Sequence, residues 1–279
     1  MPLAAASPNL HWTLSPGPIM LVLLLSAAYG VRFHRVRNEP RTRPPEAWRA
    51  ACFALAMVGL LAALVSPIDA LGDQLFFMHM VQHVILLDVV PVLVMLSLTK
   101  TLLRPVTRAV AQLERQVGYL AHPVAAVALY VVVMWAWHVP ALYDAANEHI
   151  TIHVVEHLCF TFVGFLYWWH LLSPIRSRMS QGPFGPVMYM LGTKLLVGIL
   201  GIGITFAPEP LYAFYADQAA RGGLPWGISA LDDQAVAGAV MATEQSIVMG
   251  IALAWLFVRA LAESERDDQR AEALEARAS

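Results

Sequence analysis

Seven apolar stretches, each about 17–27 residues long, are the feature of this sequence that most constrains its fold. About 20 predominantly apolar residues cross a bilayer as a helix, because backbone polar groups in hydrocarbon must hydrogen-bond within their own segment. The stretches are residues 17–33, 47–67, 74–98, 122–143, 150–172, 184–207 and 234–260. The sequence therefore predicts an all-α membrane protein: a seven-transmembrane helix bundle in one domain over residues 1–260, followed by a charged tail at 261–279.

Composition supports a membrane protein and argues against two other classes. Apolar residues make up 58% of the chain and charged residues 14%, whereas an ordinary soluble domain carries about a quarter charged residues. The formal net charge of −2 provides no basic field for a polyphosphate, so nucleic-acid binding is not expected. The two cysteines, Cys52 and Cys159, lack metal-site or redox spacing. The lipid bilayer is thus the first expected partner.

The distribution of charge along the connections predicts the orientation. Lys and Arg accumulate on the cytoplasmic side of membrane proteins. Sixteen of the 18 basic residues fall in the first, third and fifth connections or in the tail. The second and fourth connections are acidic, with Asp69 and Asp73 in one and Asp144 and Glu148 in the other. We therefore expect the N-terminus outside and the C-terminus in the cytoplasm.

Ionisable residues gather at one depth of the predicted bundle. Such residues are costly within spans and usually mark a site. They are His79 and His83 in span three, His138 near the end of span four, His153, Glu156 and His157 in span five, and Asp233 and Glu244 at the start of span seven. At 1.5 Å of rise per residue, all of them fall within roughly the outer half of the bilayer.

The spacing of the histidines predicts a metal pocket. Residues four apart share one face of a helix, so His79 with His83, and His153 with His157, can each direct two imidazoles to one point. Imidazole binds copper, zinc and iron, and the nearby thioethers of Met78, Met80 and Met241 favour cuprous copper. Glu156 either ligates the ion or orients an imidazole. Polar side chains also hold membrane helices together, but four imidazoles in one layer exceed what that role requires.

Two charged residues lie deeper in the predicted membrane. Asp88 follows His83 by five residues, about 140° around an ideal helix, so we expect it to face away from the His pair. Asp88 and Lys194 lie about fourteen and thirteen residues from the outer ends of spans three and six. An intramembrane ion pair between them is the expectation, and a proton or ion path is the alternative.

Three other chemistries fit parts of the pattern. Residues 153–157 match the H-x-x-E-H motif of some zinc metalloproteases, but such an enzyme leaves His79 and His83 without a role. A bis-imidazole haem needs one His from each of two helices and also explains fewer residues. A copper transporter needs a polar path to the cytoplasm, for which Asp88 and Lys194 are the visible candidates.

Four motifs together carry a resemblance to a known family. They are Met78-His79-Met80-Val81-Gln82-His83, Trp137-His138-Val139-Pro140, His153-Val154-Val155-Glu156-His157, and Asp233-Gln234 ahead of Gly238 and Met241. With these motifs in this order, from span two to span seven, the sequence resembles the polytopic CtaG family of cytochrome c oxidase assembly factors.

The resemblance implies a bacterial inner-membrane protein needed for the maturation of a haem–copper oxidase. It carries the family's His positions onto His79, His83, His138, His153 and His157, and its Asp-Gln step onto Asp233 and Gln234. The implied role is copper binding as a metallochaperone, not catalysis, with a periplasmic copper donor and an oxidase subunit as partners. Asp233 and Glu244 are expected to balance the charge of the cation or to orient imidazoles, unless Asp232 or Asp233 is simply the N-cap of span seven.

Overall fold

The computed structural model describes residues 6–40, 42–175 and 184–278, and within these ranges it is helical with no β-strand. Residues 176–183 of the predicted fifth connection lie outside the described ranges. The α-helices of the described part are α1 (Pro16–Arg37), α2 (Ala47–Val65), α3 (Pro67–Gly72), α4 (Phe76–Val84), α5 (Val90–Ser97), α6 (Lys100–Val117), α7 (Pro123–Trp137), α8 (Pro140–Glu148), α9 (Ile150–Leu172), α10 (Gly185–Thr205), α11 (Ala213–Gly222) and α12 (Ala230–Ala278).

Five helical segments in the described ranges are long and apolar enough to cross a membrane. They are α1, α2, the combined segment Phe76–Ser97, α9 and α10, and they match the predicted spans one, two, three, five and six. A sixth candidate is the pair Lys100–Ala121 and Pro123–Trp137, which is bent by 68°. The chain therefore has the architecture of a multi-pass membrane protein. The count of seven spans and the outward N-terminus stay predictions. The predicted seventh span and tail lie within α12, which continues from Ala230 to Ala278.

The predicted fourth span, 122–143, is interrupted. Helix α7 ends at Trp137, and α8 begins as a separate helix at Pro140. The residue before a proline is pushed out of the helical region by the proline ring, and Val139 is accordingly extended, with φ −66° and ψ 125°. His138 therefore lies at a break between two helices instead of inside a continuous span.

Span three contains a π-helical segment, Ile85–Val89, between α4 and α5. Pro91 has no amide hydrogen, so it cannot donate to the Leu87 carbonyl four residues earlier. The preceding Val90 amide donates to the carbonyl of Ile85, five residues earlier, which is the π-helical pattern. Helix α9 approaches the same place through Gly164, where a Cβ atom would overlap the Leu87 carbonyl. The segment thus combines a wider turn with an unusually close helix contact.

A second close crossing joins α10 to α12. A Cβ atom on Gly238 would lie 2.6 Å from the Gly201 carbonyl oxygen, so only glycine allows the two backbones to approach this closely. Met241 and Glu244, one and two turns further along α12, are thereby buried against the core. The first crossing thus joins α9 to span three, and the second joins α10 to α12.

Candidate metal centre

Four side chains from two helices converge in the interior of the bundle, at the depth that the sequence predicts to face the outer side. His79 and His83 on α4 and Glu156 and His157 on α9 each offer a ligand atom, and these atoms all lie within 4.8 Å of one another. The Nε2 atoms of His79 and His83 are 2.8 Å apart. The shared faces predicted from the four-residue spacing therefore meet in the structure. We call these four residues the outer centre.

His153 lies at the rim of the outer centre. Its Nε2 atom is 3.1 Å from Nε2 of His157, and its ring stacks on His79 with 5.1 Å between ring centroids. Its side chain is only partly buried, in contrast to His79. A partly buried imidazole in this position can contact both an ion at the surface and an ion in the interior.

Glu156 provides the test of whether a cation fits. Its side chain is fully buried, with Oε2 3.6 Å from His79 Nε2 and Oε1 3.9 Å from His83 Nε2. Among the described residues, neither carboxylate oxygen has a hydrogen-bond partner. A buried carboxylate without partners is strongly unfavourable, and a metal ion among these oxygens and imidazole nitrogens would relieve that cost. The donor set therefore fits a metal.

Tyr215 on α11 holds His79 in place. Its hydroxyl donates to the Gly72 carbonyl at 2.7 Å, which leaves its oxygen to accept from Nδ1 of His79 at 3.3 Å. A proton on Nδ1 leaves the lone pair of Nε2 free for the outer centre. Tyr215 is not predicted from the sequence, because nothing distinguishes it locally from neighbouring tyrosines in the sixth connection.

Asp233 and the nearby Ser229 both cap helices. The Asp233 carboxylate accepts from the amides of Phe76 and Phe77 at 2.8 and 3.0 Å, and so caps the start of α4 from another helix. Ser229 caps α12 itself, since its hydroxyl oxygen accepts from the Asp232 amide at 3.1 Å. Asp233 is therefore not the N-cap of its own helix, and its part in balancing the charge of the cation stays a prediction.

Four other predicted ligands lie outside the outer centre. His138, Met80, Met241 and Glu244 line a separate small cavity beside it. The His138 ring is turned by its break in the chain, so that Nδ1 lies 2.7 Å from the Met134 carbonyl oxygen. The helical step of 100° per residue explains why Met80 leaves the face of its neighbour His79.

Met78 lies on yet another face. It packs against the apolar cluster formed by Leu71, Leu75 and Leu224. Its ligand role stays a prediction.

Asp88 and Lys194 are not brought together. The Asp88 carboxylate accepts from Trp168 Nε1 at 2.7 Å and from the Tyr130 hydroxyl at 3.3 Å. The Lys194 ammonium lies near Gly250 on α12, and no ion pair between Asp88 and Lys194 occurs among the described residues. The expected direction of Asp88 is also wrong: it lines the same cavity as His83. The π-helical segment explains this, because a turn with one extra residue brings position 88 back toward the face of position 83.

Two acidic residues in the connection before span three shape the charge near the outer centre. Burial, together with the smaller effect of the neighbouring Asp69 charge, raises the pKa of Asp73 to about 6. Burial also raises the pKa of Asp69, against the lowering effect of hydrogen bonds that include one from Gln82 at 2.9 Å. This connection therefore carries acidic groups that attract cations near neutral pH.

Comparison with known proteins places the chain in a family. Curated relatives include the uncharacterised protein ML1998 of Mycobacterium leprae, 25% identical over 89% of this chain and 38% of its own length. The uncharacterised protein Mb0105 of Mycobacterium bovis is 26% identical over 75% of this chain and 35% of its own length. The chain thus spans less than two-fifths of these relatives. No solved structure matches.

The family match covers most of the chain. Residues 27–263, which include the outer centre, the capping aspartate and both close helix crossings, match the family described as "Cytochrome c oxidase caa3 assembly factor". The chain therefore belongs to the Caa3_CtaG family.

Proposed function

We propose that this protein is a cytochrome c oxidase assembly factor that binds a copper ion in the outer centre and hands it to a subunit of a haem–copper oxidase. The observation that carries the proposal is the fully buried Glu156 carboxylate, which faces imidazole nitrogens and has no hydrogen-bond partner among the described residues. The family description supplies the link to an oxidase.

Copper is the proposed cargo because of the ligand atoms of the outer centre and because the client oxidase contains copper. Imidazole nitrogens bind copper well, and affinities of such sites for copper generally exceed those for other first-row divalent metals. The partly buried His153 at the rim offers an exchange ligand. A periplasmic donor then delivers copper at His153, the outer centre holds it, and a docking oxidase subunit removes it by ligand exchange. No step requires turnover.

Metal analysis of the purified protein tests the binding. We expect the wild-type protein in detergent to retain copper after loading and desalting, and His79→Ala/His157→Ala to lose it. His34→Ala is the control, since His34 is exposed and contacts Asn38, the C-cap of its own helix. Equal copper in all three proteins, or a haem absorption band in the wild type, would overturn the proposed centre.

Cells that lack the protein test whether a haem–copper oxidase receives its copper. We expect their haem–copper oxidase to be deficient in copper, and the wild-type gene but not the His79→Ala/His157→Ala variant to restore it. Full restoration by that variant would contradict the handing-over of copper.

Two other functions, a metalloenzyme and a copper transporter, predict results that differ from those of a copper carrier. A metalloenzyme predicts turnover that Glu156→Gln abolishes while metal binding persists, whereas a copper carrier predicts weaker copper binding in that variant. A transporter predicts copper flux into liposomes, whereas a carrier predicts stoichiometric binding without flux.

A further inference from the structure

A small cavity beside the outer centre has a donor set that differs from that of the outer centre. Its volume of about 20 Å³ accommodates one water-sized particle. The thioether side chains of Met80, Met134 and Met241, from three different helices, line it, and all three are buried. A cluster of three thioethers around one small space is more than apolar filling requires, because leucine fills a core equally well.

His138 adds a nitrogen without a partner. Its Nδ1 atom lies 2.7 Å from the Met134 carbonyl oxygen, which can only accept, so Nδ1 carries the proton. The neutral ring then presents a lone pair at Nε2. That atom is buried and has no hydrogen-bond partner in the described part of the chain, and His138 lines the cavity. An unsatisfied buried nitrogen is unfavourable without a ligand.

His83 connects the cavity to the outer centre. Its Nε2 atom lies 2.8 Å from His79 in the outer centre, whereas its Nδ1 atom is buried without a partner among the described residues. The His83 side chain also lines the cavity. One imidazole ring therefore borders both places, so that an ion needs only a local exchange of ligands to pass between them.

Asp88 supplies charge at the wall of the cavity. Both of its oxygens accept hydrogen bonds, from Trp168 and Tyr130, so the carboxylate is held as an acceptor and not as a donor. Glu244 is a second acidic residue of the lining, so the charge does not select a monovalent ion, but the neutral thioethers favour a soft cation over a hard one. Cuprous copper is such a cation.

We propose that this cavity is a second, inner binding site for a cuprous ion, with His138 Nε2 and the thioethers of Met80, Met134 and Met241 as ligands and His83 as the connection to the outer centre. The inference deepens the proposed function, since it assigns a second station to the same cargo. The outer centre, with imidazoles and a carboxylate, accepts Cu⁺ or Zn²⁺, whereas the inner site accepts Cu⁺ alone.

Anaerobic titration of the purified protein with Cu⁺ against a chromophoric chelator tests the proposal. We expect two tightly bound Cu⁺ per wild-type chain but one Zn²⁺. Met134→Leu/Met241→Leu preserves side-chain volume, and we expect it to bind one Cu⁺ and still one Zn²⁺. Met57→Leu is the matched control, because Met57 is equally buried in another apolar cluster; it is expected to bind two Cu⁺. X-ray absorption spectroscopy should show copper–sulfur scattering that only the double variant loses.

The outcomes separate the two proposals. One Cu⁺ per wild-type chain without sulfur scattering, or two Cu⁺ in the double variant, would overturn the inner site while leaving the outer centre intact. Loss of zinc and of one Cu⁺ in His79→Ala/His157→Ala, with sulfur scattering kept, would support both. If that variant keeps its zinc while Met134→Leu/Met241→Leu loses one Cu⁺, the inner site stands and the proposed outer centre fails.

Discussion

Replacing Asp233 by alanine removes the contact that ties α12 to the start of α4. Its carboxylate accepts from two backbone amides, Phe76 at 2.8 Å and Phe77 at 3.0 Å. A helix cap contributes about 0.5–2 kcal/mol, and each buried donor left unpaired adds about 1–3 kcal/mol. One of these two donors is only partly buried, so we expect Asp233→Ala to lower the free energy of unfolding by about 1.5–5 kcal/mol.

Asp232 is a natural control for this experiment. It has the same charge one position earlier and is exposed, and its carboxylate accepts a hydrogen bond from the Ser229 hydroxyl at 2.6 Å within its own first turn. We expect Asp232→Ala to cost below about 1 kcal/mol. Asp233→Asn keeps one accepting oxygen and should fall between the two.

Unfolding of the detergent-solubilised protein, followed by intrinsic fluorescence in increasing denaturant, measures these differences. Copper affinity should fall in parallel, because the capped turn begins three residues before His79. Equal losses in Asp232→Ala and Asp233→Ala would refute the reasoning that the cap between helices, and not local charge, is the source of the effect.

Three further perturbations follow from the packing and electrostatics. Gly164→Ala forces α9 away from span three, and we expect it to lower the free energy of unfolding by at least about 1–3 kcal/mol and to weaken copper binding. Gly192→Ala is the control: a Cβ atom at Gly192 meets no atom within 4 Å, so the same unfolding assay should show no loss of stability. Tyr215→Phe removes the acceptor of His79 Nδ1, and metal titration should show about a tenfold to hundredfold lower affinity; unchanged affinity contradicts the orienting role. Burial raises the pKa of Asp73 to about 6, so the folded state holds this proton more tightly and loses stability as pH rises from about 4 to about 6. Asp73→Asn should therefore raise the melting temperature at pH 7.5 but not at pH 4, and an equal change at both values would contradict this.

The outer centre shows how far local sequence reasoning reaches. His79 with His83, and His153 with His157, are pairs whose shared faces follow from helical periodicity alone, and hydropathy places them at a common depth. Both arguments use neighbours along the chain, so they are valid before any tertiary contact is known. They also predict that Glu156 lies close to the imidazoles, as the structure shows.

Asp88 shows where this reasoning fails. The prediction for its direction assumed 3.6 residues per turn, but Pro91 and the close approach of Gly164 accompany a π-helical turn at this position. The proline was visible in the sequence, whereas the glycine lies on another helix. For His138, in contrast, the following Val139-Pro140 step already contained the reason for the break.

Hydropathy and helical spacing are local properties of the sequence, and they suffice to predict a helical membrane protein in which two helices each present a pair of imidazoles at the same depth. The tertiary structure alone decided that Asp233 caps a different helix, that Tyr215 orients His79, and that the thioethers surround a separate cavity with His138. Those roles depend on groups more than 100 residues apart or on three helices meeting at one point, and no local pattern in the chain encodes which distant partner a side chain meets.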